Sequence, residues 1–163
     1  MARISVLAIC AAALLGSGCG DSTESTAASA ASPSVAETTA TASANRGKKV
    51  KAVGSQFGRV VADGRGEALY LFAKERGKRS QCYGACARAW PPVLTKGRPR
   101  AGKGAKAKLL GTTRRKNGKL QVTYKGHPLY YYVDDRPGLI LCQNVNEFGG
   151  LWLVVKPNGN PVT

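Results

Sequence analysis

A single histidine, His127, and nine carboxylates among 163 residues are a thin supply of groups that move protons. Ser-His-Asp chemistry needs a positioned imidazole, and general acid–base chemistry needs groups placed to face one substrate. Asp134 and Asp135 are sequence neighbours that project to opposite faces if they lie in a strand, so they do not form such a pair. The expectation is a protein without catalytic residues. Methionine occurs once, at Met1, which excludes a thioether copper site from the rest of the chain. No Cys-x-x-Cys pair is present, and no cofactor is expected. No helix-turn-helix, zinc-finger or RNA-binding signature occurs, so specific nucleic-acid recognition is not expected. The apolar run near the start, residues 4–15, is too short to span a bilayer. Residues 20–45 contain no aromatic residue, no Leu or Ile and a single Val35. Such a stretch cannot bury enough apolar surface to offset the entropy of ordering it.

The beginning of the chain carries an address. Arg3 precedes the apolar residues 4–15, and Gly16-Ser17-Gly18 leads into Cys19. A positive start, an apolar stretch of about a dozen residues and a small-residue end form an export signal. The end resembles the lipobox of bacterial lipoproteins, in which a cysteine is acylated and becomes the first residue of the mature chain. Gly16 departs from that pattern, since leucine usually stands three residues before the cysteine. The same Gly16-Ser17-Gly18 satisfies ordinary signal cleavage, which would release a soluble secreted protein. The expected organisation is a lipoprotein signal peptide at 1–18, a lipidated Cys19 opening a disordered tether at 19–50, and a folded domain at 51–163. A flexible chain the length of residues 20–45 has an end-to-end distance of about 25–30 Å. That is enough to lift a domain clear of a membrane, and the expected location is the extracytoplasmic face of a bacterial membrane, reached through the N-terminal lipid.

Charge is unevenly spread. Residues 46–125 hold 22 Lys and Arg against Asp63, Glu67 and Glu75, while the few charges beyond them lean acidic. A field of that size attracts polyanions, and for an exported protein the expected partner is an anionic lipid or wall polymer. The plainer reading is a solvated surface. The stretch 96–106, rich in Gly, Pro and Lys, is expected to be an irregular loop with mobile lysines.

The folded part repeats itself at a shift of sixty residues. Gly58-Arg59-Val60 lies over Gly118-Lys119-Leu120, and Leu69-Tyr70-Leu71-Phe72 over Leu129-Tyr130-Tyr131-Tyr132, with Glu75 on Asp135 and Cys82 on Cys142. No gap is needed across that span, and a two-residue insertion then places Trp90 on Trp152. Self-similarity at one period means one supersecondary unit used twice, here in repeat one at 53–95 and repeat two at 108–157. Strand formers flank turns at 63–66 and 125–127, and Asn117-Gly118 is a strong hairpin signal. Residues 83–90 are predicted helical, stopped by Pro91-Pro92. The fold class is mainly β: a small antiparallel domain built from two tandem repeats of about 60 residues with a short helix.

Cys82, Cys86 and Cys142 follow the anchor. In an oxidising compartment two of them pair, either locally or with Cys142 joining the repeats. Together with His127 the three thiols also compose a Cys₃His set of the kind that binds zinc or Cu(I), the basis of an alternative reading as a metal-binding or electron-transfer accessory. His127 stands in a turn beside Pro128, where an exposed imidazole is the ordinary outcome. Tyr130-Tyr131-Tyr132 with Asp134 and Asp135 suits sugar stacking, although alternate strand tyrosines usually pack a core.

The pattern Cys-Tyr-Gly-Ala-Cys-Ala-Arg-Ala-Trp-Pro-Pro, then Gly-His-Pro-Leu-Tyr-Tyr-Tyr and a closing Gly-Gly-Leu-Trp resembles the bacterial "secreted repeat of unknown function". Its members are predicted lipoproteins with a Tyr-x-aromatic-x-x-Asp motif. Here the motif falls on Tyr130, Tyr132 and Asp135 in the second copy and on Tyr70, Phe72 and Glu75 in the first, where Glu replaces Asp; Trp90 and Trp152 accompany it. The resemblance implies an envelope location, a duplicated domain and a local Cys82–Cys86 bridge. It implies no reaction, and the ligand of an expected binding or scaffolding role stays open.

Overall fold

Strand β1 (Lys49–Ser55) turns through Gln56 and Phe57 into β2 (Gly58–Asp63), and the two pair antiparallel from Val50 opposite Asp63 to Ser55 opposite Gly58. The structure is a computed structural model and describes residues 47–163. Beyond β2 come β3 (Tyr70–Phe72), helix α1 (Ala85–Ala89), β4 (Leu94–Thr95) and β5 (Arg100–Ala101). A 3₁₀ turn at Ala107–Leu109 then opens the second half: β6 (Leu110–Arg114), β7 (Leu120–Tyr124), β8 (His127–Pro128), β9 (Val145–Glu147) and β10 (Gly150–Val154). Three sheets result, ordered β2-β1-β5, β3-β10-β9 and β4-β7-β6, with β8 also on β7. All pairings are antiparallel except β1 with β5.

The repeats exchange their last segments. In repeat one the Val61 N–H donates to Val155 O (2.7 Å), and Val61 O accepts from Leu69 (3.0 Å). In repeat two the Val122 N–H donates to Val93 O (2.8 Å), and Val122 O accepts from Leu129 (2.9 Å). The segment after Trp90 therefore completes the sheet of repeat two, and the segment after Trp152 that of repeat one. Reciprocal bonds between Tyr70 and Tyr130, both 2.9 Å, mark the local two-fold.

These bonds correct the ungapped register. Leu69 and Leu129 match at sixty residues, but Val61 matches Val122 at sixty-one. Two changes compensate. The first hairpin has a two-residue loop, whereas the second closes between Arg115 and Lys119 over residues 116–118. The following turn is longer in repeat one, where Asp63 bonds Glu67, than in repeat two, where Tyr124 faces His127 across Lys125-Gly126. Both of those turn residues have positive φ, as a type I′ turn requires. At the Asn117-Gly118 signal only Gly118 does, so that loop takes the three-residue form.

Strand residues alternate between two cores. Tyr70, Phe72, Trp152 and Val154 join an aromatic cluster; Leu69, Leu71, Leu153 and Val155 join an aliphatic one. The runs Leu69–Phe72 and Trp152–Val155 are apolar at every position because both faces are covered, whereas Leu151, just ahead of the second, is exposed.

Three boundaries differ from expectation. Folded structure begins before residue 51: Gly47 is buried and β1 starts at Lys49, so repeat one reaches back beyond Val53. The helix is confined to Ala85–Ala89 because Gly84, at φ 56°, is outside the helical region. Residues 96–106 are not a free loop. β5 pairs with β1, the Gly102 N–H donates to Val50 O (2.6 Å) and Lys103 O accepts from Ala52 (2.9 Å). A Cβ on Gly102 would stand 3.1 Å from the Lys51 Cβ, so this glycine permits close approach to β1 rather than breaking structure.

Candidate functional site

The eight motif and tryptophan positions meet around the two-fold. Trp90 and Trp152 stack with ring centroids 4.1 Å apart and planes 5° from parallel. Phe72 stacks on Trp152 at 4.2 Å and Tyr132 lies tilted on Trp90 at 4.9 Å. Tyr70 meets Trp90 edge-on at 5.1 Å, as Tyr130 meets Trp152 at 5.2 Å. Each tyrosine then crosses to the acid of the other repeat. Tyr70 donates to Asp135 Oδ2 (2.7 Å) and Tyr130 to Glu75 Oε1 (2.5 Å). The acids also accept from the backbone six residues on, Glu75 from Gln81 (2.6 Å) and Asp135 from Leu141 (2.9 Å). Burial raises the pKa of both acids and of both tyrosines, so each phenol keeps its proton and donates. The motif spacing is thus a latch between repeats: a tyrosine for the opposite acid, an aromatic for the tryptophan stack, and an acid that also ties down its own loop. Tyr130 and Tyr132 are buried, so they offer no face to a sugar.

A network around Arg115 was not legible in the sequence. This guanidinium is buried and donates to Ser80 Oγ (2.7 Å), Gln121 Oε1 (2.6 Å) and Cys82 O (2.7 Å), with its face 4.4 Å from the Tyr83 ring. Ser80 in turn lies 2.7 Å from the Tyr130 hydroxyl. Glu75 Oε2 is buried with no hydrogen-bond partner, and the positive Arg115 offsets part of the cost of burying that carboxylate. Arg115 sits between Arg114 and Lys116 in a basic run, and no local pattern separates it from its solvated neighbours.

The cysteines resolve as the family resemblance implied. Cys82 and Cys86 form a disulfide, with Cα atoms 5.3 Å apart, and Cys142 is a buried thiol in the aromatic core. Among the described residues no three His, Cys, Asp or Glu side chains stand where they could hold a metal ion, so the set Cys82, Cys86, Cys142 and His127 is not assembled. His127 is half-buried in β8 rather than exposed; its Nδ1 is buried without a partner, and burial, then Lys125, lowers its pKa. Cys19 lies outside the described residues.

With the latch inside, the outer surface is dominated by one sign. Of the described Lys and Arg, nineteen are exposed, whereas Asp134 is the one exposed carboxylate. Asp63, Glu75 and Asp135 are buried, and Glu67 and Glu147 are half-buried. Among the described residues only Arg65 forms ion pairs, with Asp63 and Glu67. Two clefts open in this surface. The larger, about 610 Å³, is lined by Lys48, Leu94, Thr95, Lys96, Lys119 and Leu120. It lies where the start of β1 meets the β4–β7 pair, with Lys48 N–H on Thr95 Oγ (2.9 Å) and Lys48 Nζ 5.8 Å from the Tyr131 ring. The smaller, about 270 Å³, includes Lys78, Lys108 and Lys125 beside Leu109 and Leu110.

No helix among the described residues is long and apolar enough to cross a membrane. No curated protein matches the chain at a significant level, and no solved structure does. The family described as "secreted repeat of unknown function" matches twice, over residues 51–94 and 111–156, more than half of the sequence and in step with the two halves of the fold. The chain belongs to that family of secreted repeats.

Proposed function

We propose that this is a non-enzymatic cell-envelope lipoprotein, anchored through Cys19, whose duplicated β domain is held on its tether to bind or scaffold an anionic partner. The observation that carries this reading is the imbalance of surface charge: among the described residues, nineteen exposed Lys and Arg stand against one exposed Asp or Glu. A surface of one sign raises the local concentration of opposite charge and speeds encounter. A tether of tens of ångströms confines the domain beside a membrane, so head groups or wall polymers are met at high effective concentration. The residues that a catalytic reading would recruit, Glu75, Asp135 and the tyrosines, are occupied by the latch.

The test uses the full chain and its Cys19→Ala form. Metabolic labelling with a palmitate analogue should tag the first and not the second. The unlabelled form should still sediment with anionic vesicles at low salt, ignore neutral ones, and release as the Debye length shrinks from about 10 Å at 0.1 M to about 3 Å at 1 M salt. Equal labelling of both forms would overturn the anchor, and binding indifferent to lipid charge and salt would overturn the electrostatic role.

A further inference from the structure

The two-fold provides an internal control on the larger cleft. Val93 and Val155 make matching backbone bonds, to Val122 and Leu129 in one case and to Val61 and Leu69 in the other. Leu94 therefore occupies the position of Lys156 in the opposite half, and Leu120 the position of Arg59. Lys119 occupies that of Gly58. The scaffold itself does not require two leucines here, because the related half folds with cations in their places. The leucines are half-buried and form an apolar floor, while Lys48, Lys96 and Lys119 supply a positive rim and no carboxylate lines the cleft. Its volume of about 610 Å³ lies within the range of small-molecule sites.

We propose that this cleft binds an anionic single-chain amphiphile, with the carboxylate or phosphate monoester head among the three lysines and the first methylenes of its chain on Leu94 and Leu120. A purely polar anion would leave the leucines wet, and an uncharged chain would forgo the attraction of three lysines lining one cleft. This deepens the proposed envelope role by giving one ligand class a defined seat, distinct from the diffuse attraction of the exterior.

The probe is dodecyl phosphate below its micelle concentration, added to the full chain carrying Cys19→Ala so that the protein's own lipid cannot compete. Dodecyl maltoside and inorganic phosphate serve as controls. Amide resonances of Leu94, Thr95, Lys119 and Leu120 should shift saturably with dodecyl phosphate, with at least tenfold weaker binding for either control. The variant Leu94→Lys with Leu120→Arg installs residues that the matching positions already carry, so the fold should be retained. It should reduce dodecyl phosphate binding to that of inorganic phosphate. Lys96→Glu with Lys119→Glu should weaken it at least tenfold. Equal binding of dodecyl maltoside, an unchanged affinity in the leucine variant, or shifts scattered over the basic surface would each overturn the proposal. Vesicle sedimentation of the leucine variant separates the two readings: binding retained there leaves the electrostatic role standing whatever the cleft does, and loss of vesicle binding in wild type leaves the cleft result standing alone.

Discussion

The two repeats agree where they face each other and diverge where they face outward. Inside, Tyr70 and Tyr130, Glu75 and Asp135, and Trp90 and Trp152 make matching contacts across the axis. Away from the axis, repeat one carries α1 and the buried Cys82–Cys86 bridge, while the corresponding stretch of repeat two forms the β9–β10 hairpin. The loop tips differ as well. Around the second hairpin, Lys116, Arg79 and Gln81 are exposed, whereas Phe57, Leu139 and Leu141 are exposed around the first, joined by the Gln56 bond to Ile140 O (3.2 Å). What the symmetry keeps is what the fold needs. What it breaks is free to serve something else, and the larger cleft belongs to the second class.

The deepest test of that division is to cut the stack from either side. Trp90→Ala and Trp152→Ala each remove a fully buried ring, and each should lower unfolding free energy by about 3–5 kcal/mol. Because the rings are stacked partners, the double variant should cost less than the sum of the two. Urea denaturation of the four proteins measures the coupling. Strict additivity would mean that the repeats are stabilised separately and that the shared core contributes no more than two independent ones.

Much of this symmetry was legible because burial on both strand faces writes long apolar runs, and the sixty-residue period survives in Leu-Tyr-x-aromatic, Glu or Asp, and Cys. The exchange of final segments was not legible. Val93 and Val155 are ordinary apolar residues beside β4 and β10, and which sheet they complete depends on the path through α1 or β9. The paired one-residue changes were hidden for a related reason, since an addition in one turn and a deletion in the next restore the period beyond them. The 96–106 segment misled because Gly and Pro punctuate loops and also permit close packing; only the neighbouring β1 backbone distinguishes the two uses. For the site, sequence spacing identified the motif residues but not their partners. The tyrosine of each copy bonds the acid of the other, and a motif read within one copy places both on the same chain segment.

Those cross-bonds sharpen the comparison at a smaller scale. Tyr70→Phe and Tyr130→Phe each leave a buried carboxylate without its phenol, a loss of about 1–3 kcal/mol. The two should not be equal. Tyr130 also lies beside Ser80, which Arg115 holds, and Glu75 already has one oxygen without a partner. Glu75 Oε1 nevertheless keeps Gln81, whereas among the described residues Tyr70 is the one donor to Asp135 Oδ2, so Tyr70→Phe leaves a newly unpartnered buried oxygen and Tyr130→Phe does not. Tyr70→Phe should therefore be the more destabilising in matched urea titrations, and the reverse order would show that the Ser80–Arg115 network depends on the Tyr130 phenol more than Asp135 does on its partner.

The smallest effect concerns protons. Burial is the largest influence on both Glu75 and Asp135 and holds each pKa above the usual value of about 4, despite the hydrogen bonds that pull the other way. The folded state then binds protons more tightly than the unfolded chain. The slope of stability with pH is negative between the unfolded and folded values, so this contribution is complete below about pH 4 and is lost as pH rises through the folded pKa. His127 acts oppositely: burial lowers its pKa, so its contribution is complete above about pH 6.5 and is lost as pH falls through the folded value. Urea midpoints measured between pH 4 and 7 should fall with pH at the acidic end. Glu75→Gln should remove part of that fall while keeping the oxygen that accepts from Tyr130 and Gln81, and Asp135→Asn should remove the matching part in the other repeat. His127→Gln should leave the acidic fall intact and flatten the opposing rise near neutrality. If the Glu75→Gln, Asp135→Asn double variant keeps the wild-type slope below pH 6, the two acids are not the protons that the latch holds.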